Sequence, residues 1–297
     1  METYGADIIR LWALSVDFTE DHRIGDEILS GVADQYRKLR NTFRYLLGAL
    51  ADFREDERVG IEAMPELELY VLHLSAELDA KLKTIVDFDK DKHWSKDEDQ
   101  LFDFTSYVRL LVDFANNDLS AFYFDIRKDV LYCEVNAETG FQTEKRRAAR
   151  TVFDILFHAL VRWLSPVLVF TTEEVWGTRY PDAGSVHLLE WPEVPAVDAD
   201  DAKWATLRVL RERITEAIEP LRRDKVLGSS LEAEVTVPND ADPAVLAELF
   251  ITSTVHRGDE IKVTKTANHK CGRCWRYLPE VKADGELCGR CEAVLNG

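Results

Sequence analysis

Between Asp26 and Phe53 the apolar positions are Ile28, Leu29, Val32, Tyr36, Leu39, Phe43, Leu46, Leu47, Leu50 and Phe53. They recur at steps of three and four, which predicts one long amphipathic helix. Pro65 breaks the pattern, and a second helix then carries Leu67, Val71, Leu74, Leu78, Leu82 and Ile85 on one face. A third is predicted from an N-cap at Ser95, with Leu101, Phe104, Val108, Leu111, Ala115, Leu119 and Phe122 as its stripe. A fourth spans Glu144 to Leu164 and buries Val152, Ile155, Leu156, Ala159, Leu160 and Trp163. Pro166 ends it, and Thr171-x-x-Glu174 reads as a capping box opening a short helix through Trp176. Pro181, Gly184, Pro192 and Pro195 mark a loop over the bundle surface. Long helices joined by loops predict a mainly α fold, an antiparallel helical bundle.

The pattern then changes. A helix with Leu207, Leu210, Ile214, Ile218 and Leu221 leads through Gly228 into Leu231–Val237, whose alternation predicts a half-buried strand. Asp242 to Phe250 reads as a helix with Pro243 in its first turn, and Glu260 to Lys265 alternates again. This is a small α+β junction before a cysteine-rich end.

No apolar run approaches the roughly 18 residues of a membrane span, and the N-terminus lacks a basic start followed by an apolar core, so a cytoplasmic location without membrane contact is expected. The net charge of -18 argues against nucleic acid as a partner of the whole surface. From Lys265 to Gly297, however, six basic residues face four acidic ones, so the tail has the opposite sign.

Four of the five cysteines stand as Cys271-Gly272-Arg273-Cys274 and Cys288-Gly289-Arg290-Cys291, with thirteen residues between the pairs. Two residues between ligands let one tight turn aim both sulfurs at a single metal, and two such turns complete a tetrahedron. Gly272 and Gly289 permit the turn and let amides approach the thiolates, and Gly285 suits a hairpin tip. One structural Zn2+ is the expected cofactor, since four protein ligands leave no open position for water. Disulfides do not suit a reducing compartment. A four-thiolate iron site would use the same ligands and stays open. Cys133 is read as a small buried hydrophobe without a role.

Around the cysteines lie Lys270, Arg273, Trp275, Arg276 and Arg290, candidates for contacts to unpaired bases and phosphates. Trp275 has a second reading, in which it packs over the metal site as the core of a very small module. Lys145, Arg146, Arg147 and Arg150 form a basic cluster at a helix start and are further candidates to face RNA, or a solvated face. There is no Gly-rich phosphate loop, no His pair at metal-binding spacing on a helix and no serine elbow. The seven histidines are scattered, and the carboxylate runs Asp97-Glu98-Asp99 and Asp198-Ala199-Asp200-Asp201 read as helix starts and solvated loop. No catalytic residue is assigned.

Several segments resemble a known family. Tyr4-Gly5-Ala6-Asp7-Ile8-Ile9-Arg10-Leu11-Trp12 is similar to the segment after the signature loop of class I aminoacyl-tRNA synthetases. Ser15 to Asp21, Asn117-Asp118-Leu119-Ser120, Lys128-Asp129-x-Leu131-Tyr132 and Phe170 to Trp176 narrow this to isoleucyl-tRNA synthetase. Lys270-Cys271-Gly272-Arg273-Cys274-Trp275, with Cys288 to Cys291, resembles the C-terminal zinc module of the bacterial form. The resemblance implies four segments. Residues 1–25 follow a catalytic domain, 26–195 form the anticodon-binding bundle, 196–265 a junction and 266–297 the zinc module. It further implies isoleucine tRNA and the enzyme's own catalytic and editing domains as partners, in a monomer. ATP binding belongs to the catalytic domain, because neither the His-x-Gly-His nor the Lys-Met-Ser-Lys-Ser signature occurs in this sequence.

Two other functions compete. One is the corresponding region of a valine or leucine synthetase, although no heptad run for a terminal coiled coil follows Val237. The other is an independent zinc-ribbon protein that binds a protein partner through its acidic helices.

Overall fold

A computed structural model describes residues 4–17, 20–86 and 103–297. The expected N-cap at Ser95, Leu101 and the acidic run Asp97-Glu98-Asp99 lie outside these. The chain forms two compact units, Met1–Phe124 with Ala148–Ala199, and Asp125–Arg147 with Asp200–Gly297.

The first unit is helical: α1 (Ala6–Leu14), α2 (Asp26–Ala49), α3 (Glu66–Val86), α4 (Phe104–Asp113), most of α6 (Glu144–Leu164) and α7 (Val169–Arg179). The stripes read from the sequence supply most of its core, although Ile28 at the start of α2 is exposed and Ile155 of α6 is half-buried. Leu39, Phe43 and Leu46 of α2, Leu82 of α3, Leu111 of α4 and Leu156, Leu160 and Trp163 of α6 are essentially inaccessible. Phe153 meets Tyr45, Tyr123 and Phe124 edge-on at 5.3–5.8 Å between ring centroids, and Tyr45 stacks on Phe124 at 4.4 Å. Such pairs add roughly 0.5–1.5 kcal/mol beyond area burial.

Two expectations change here. The third helix does not stay α-helical, because Phe114–Phe124 winds as a π-helix after α4. Phe114, Leu119 and Phe124 are all buried and fall five apart, the step an i→i+5 ladder closes. The loop after α7 is fastened to α3: Trp191 Nε1 donates to Asp79 Oδ1 at 2.6 Å, and His73 Nδ1 lies 2.8 Å from the Val197 carbonyl.

The second change concerns Thr171, which does not cap α7. The helix begins at Val169, and Thr171 lies inside it, buried. Its cap comes from another element. The buried carboxylate of Asp7, on α1, accepts from Phe170 N at 3.2 Å, Thr171 N at 2.7 Å and the Thr171 hydroxyl at 2.6 Å. Those two amides are orphans of the first helical turn, the groups an N-cap side chain satisfies. Arg10, one turn along α1, donates to the carbonyls of Pro166 at 2.7 Å and Val167 at 3.3 Å. We expect Asp7→Ala to destabilise the helical unit by roughly 1–3 kcal/mol, with Asn at the same position retaining part of it. An unchanged urea midpoint for the alanine variant would refute the cap.

The second unit holds α5 (Asp125–Cys133), α8 (Asp201–Arg223), β1 (Ala233–Val237), α9 (Pro243–Phe250), β2 (Thr254–Arg257) and β3 (Lys262–Lys265). Asp200 and Asp242 cap α8 and α9, accepting from Lys203 N and Ala244 N. β1 is central, parallel to β2 with Val235 opposite Val255, and antiparallel to β3 with Val235 opposite Val263. β2 is an element the alternation did not announce. Four residues are too few to show period two, and its pairing depends on the crossover through α9.

Residues 125–147 were expected within the bundle, yet they group with the C-terminal elements. Ion pairs explain this: Arg127 and Lys145 both reach Glu248 of α9, at 2.5 and 2.7 Å, and Arg211 of α8 holds Asp125 at 2.8 Å. Among the described residues no helix is long and apolar enough to cross a membrane.

Candidate metal centre and nucleic-acid interface

The chain ends in a two-stranded hairpin and a short helix: β4 (His269–Lys270), β5 (Tyr277–Leu278) and α10 (Gly289–Asn296). The first cysteine pair sits in the turn between β4 and β5, where Cys271 N bonds the Arg276 carbonyl at 2.9 Å. The second opens α10, with Cys288 as its N-cap residue and Cys291 in its first turn. Two different turns thus aim four sulfurs inward.

All four cysteines are buried, and their sulfurs lie within 4.8 Å of one another. Cys274 Sγ and Cys288 Sγ are 3.8 Å apart. A tetrahedron with zinc–sulfur bonds of about 2.3 Å has edges of about 3.8 Å, so the donor set fits the ion. Amides supply secondary support: Cys288 N points at Cys271 Sγ at 3.3 Å, while the amides of Arg276 and Cys291 face the sulfurs of Cys274 and Cys288. The Gly272 amide itself donates to the Glu286 carbonyl at 2.9 Å. Gly272 has a steric reason instead, since a Cβ there would stand 2.4 Å from the Gly285 carbonyl oxygen. Gly285 does not stand at the tip of this hairpin, which residues 271–276 occupy; it takes a φ of +95° in the turn after β5, and Gly289 has open space around it.

The apolar material around the sulfurs is slight: Val281 with the half-buried Leu278 and Leu287, and Cys133 from α5. Trp275 is not part of it. Its side chain is 62% exposed on a left-handed backbone with φ of 64°, and Lys270 Nζ lies 5.2 Å from the ring centroid. The reading of Trp275 as the module's core is therefore overturned, because a metal-bound cluster this small closes without it.

The remaining basic candidates fall into distinct places. Arg273 donates to the carbonyls of Cys133 at 2.8 Å and Val135 at 2.5 Å. Arg290 forms a fork with Asp129 at 2.5 and 3.0 Å and reaches Glu134 at 3.1 Å. Lys145 is held by Glu248, and Arg146 donates to the Leu131 carbonyl at 2.8 Å and to Gln142. Arg147 is half-buried. Arg150 does not face solvent at all: it is 2% exposed, pairs with buried Glu57 and donates to the carbonyls of Ala49 at 3.1 Å and Ala51 at 2.6 Å. Trp275 is the exposed member of the set, with the half-buried Lys270 over its ring and the half-buried Arg276 lining one pocket with it and the exposed Tyr132. Asp129 and Tyr132, though part of a family-like motif, and Glu134 were not assigned to this site from the sequence, because only the packing of α5 brings them to the cysteines.

Comparison with known proteins bears on both features. Residues 93–237 match the anticodon-binding domain of tRNA ligase, and residues 268–294 match the zinc finger found in FPG and IleRS. The isoleucine–tRNA ligase of Zymomonas mobilis is 54% identical over 304 residues, covering 98% of this chain. Those of Ruegeria pomeroyi and Gluconobacter oxydans are 46% and 41% identical, each over 99% of the chain. The chain belongs to the isoleucyl-tRNA synthetase family. It spans about a third of the length of these relatives, 31% or 32% of each, and corresponds to the C-terminal region of the family. The zinc-finger match and the four-sulfur cluster together support one structural Zn2+ and resolve the choice left open between zinc and iron.

Proposed function

We propose that this chain is the anticodon-side tRNA-recognition region of an isoleucyl-tRNA synthetase. In this reading the helical unit, without residues 125–147, is the anticodon-binding bundle, those residues join the junction formed by 196–265, and 266–297 are the zinc module. Residues 1–25 connect to the catalytic part of the same cytoplasmic, monomeric enzyme. Catalysis and ATP binding belong to that part, and this region orients isoleucine tRNA so that the acceptor end reaches it.

The observation that carries the reading is the exposed Trp275, clamped at its ring by Lys270, in a module otherwise closed around its metal. An aromatic face flanked by cations accepts an unpaired base while the cations meet phosphate. A pocket of about 480 Å³, walled by Tyr132, Ile126, Leu231, Trp275 and Arg276, lies directly beside it. Substituting Trp275 by Ala is expected to weaken binding of isoleucine tRNA by about tenfold or more, from the roughly 1–3 kcal/mol a stacked base contributes. Zinc content and thermal unfolding stay unchanged. Unaltered tRNA affinity in that variant would remove the proposed interface.

A further inference from the structure

The pocket beside Trp275 has a chemistry of its own. Its walls are aliphatic, from Ile126, Leu231, Ala247 and Ile251, and are completed by the exposed rings of Tyr132 and Trp275. At about 480 Å³ it has the size of a small-molecule site. Ile251 and Trp275 both hold a left-handed backbone, with φ of 56° and 64°. That conformation strains a β-branched or bulky residue, and such strain gathers at ligand clamps. Three carboxylates and three cations also line the pocket, and they are not equivalent. Asp125 is held by Arg211 at 2.8 Å, Asp129 by the fork of Arg290, and Glu248 by Arg127 and Lys145. None of those partner cations lines the pocket. The carboxylates are therefore neutralised from outside it, and Lys128, Arg273 and Arg276 stand as its surplus charge. Arg273 is committed to the carbonyls of Cys133 and Val135, and Lys128 comes only to 3.7 Å from Asp125. Arg276 is half-buried and forms no ion pair or side-chain hydrogen bond among the described residues, acting on Glu248 only through space. A half-buried guanidinium in that position favours an anionic acceptor.

A ligand for this pocket needs an apolar body and one anionic end. Inorganic phosphate lacks the body, and a metal cation meets surplus positive charge. A nucleobase entering the pocket would turn its donors and acceptors toward aliphatic walls and lose their water without replacement. We propose that the second unit binds a small apolar carboxylate of the arylalkanoate type. Its hydrocarbon part lies against Ile126, Leu231 and Ile251, and its carboxylate accepts from the Arg276 guanidinium, whose fork matches two carboxylate oxygens. The site itself rests on the pocket alone. Its effect on tRNA rests on the proposed function, because Trp275 is both a wall of the pocket and the stacking face assigned to a base.

The test is calorimetric titration of the zinc-loaded full chain with 3-phenylpropionate, 3-phenyl-1-propanol, acetate and UMP. The phenylpropionate is expected to bind about tenfold more tightly than the alcohol, which lacks the charge, and than acetate, which lacks the body. Arg276→Gln should lower its affinity about tenfold and abolish its advantage over the alcohol, with zinc content and thermal unfolding those of the parent. Ile251→Gly removes a wall at a backbone position that suits glycine, so it should weaken the acid and the alcohol alike without loss of fold. Absent binding of the acid, equal binding of acid and alcohol, or unchanged affinity in both variants would overturn the proposal. Tighter binding of UMP than of the acid would also overturn it and assign the pocket to RNA. Saturating acid is then expected to weaken isoleucine tRNA binding. An acid that binds as described yet leaves tRNA affinity untouched supports the pocket and removes the base-stacking role of Trp275, so the two readings fail separately.

Discussion

Replacing Cys288 by Ser is expected to reduce bound zinc from one per chain to nearly none and to unfold residues 266–297, leaving the helical unit intact. The reason is the balance of forces in the module. Val281, Leu278 and Leu287 are the apolar side chains packed on the sulfurs, with Val294 buried on α10, and each contributes at most about 1.5–3 kcal/mol. Structural zinc in small fingers contributes roughly 10–16 kcal/mol of apparent binding free energy at neutral pH, and most of that is folding free energy. The sulfurs also need a cation to coexist as thiolates. Without one, a hydrogen bond from Cys291 favours the Cys274 thiolate, and Cys274 in turn holds Cys291 protonated. Metal analysis with limited proteolysis reads the result. A serine variant that keeps one zinc and the parent's protease resistance would contradict it.

Arg150→Ala should cost the helical unit roughly 3–5 kcal/mol, the usual consequence of stripping one partner from a buried ion pair. Arg150 and Glu57 are both buried, and the guanidinium also satisfies the carbonyls of Ala49 and Ala51 where α2 ends. Burial works against the charge of Arg150 and lowers its pKa, with Glu57 opposing the effect. Removing the arginine leaves Glu57 and two carbonyls without their donor. Replacing both partners by apolar residues should recover much of the loss, because the uncompensated charge disappears. Denaturant unfolding of the single and double variants measures this. A single-variant change within about 0.5 kcal/mol, the range of an ordinary surface substitution, would show that the pair is not load-carrying.

What the sequence made legible follows from the distance over which each feature is encoded. Helix α6 was read with both ends correct, because a dense stripe of apolar residues lies between Glu144 and Pro166. The four cysteine ligands were equally plain, since their spacing is a local property of two turns. Asp7 as the cap of α7 was not, for its partner lies 164 residues away and a local Thr-x-x-Glu offered a decoy. Arg150 looked like part of a basic surface cluster for the same reason: Glu57, which buries it, is 93 residues distant. Charge alone does not separate an arginine that meets solvent from one that closes a core. The π-helical stretch kept an α-like stripe through Leu119 and Phe122, and only the burial of Phe114 and Phe124 distinguishes the two windings.

The central claim is tRNA recognition through the zinc module, and one measurement tests it most directly. The zinc-loaded chain is titrated with isoleucine tRNA and with a tRNA of another anticodon across a series of salt concentrations, then again after zinc removal. Tighter binding of the isoleucine tRNA is predicted, falling with salt as phosphate contacts require, and lost with the metal. Equal binding of both tRNAs, indifferent to zinc, would contradict the account.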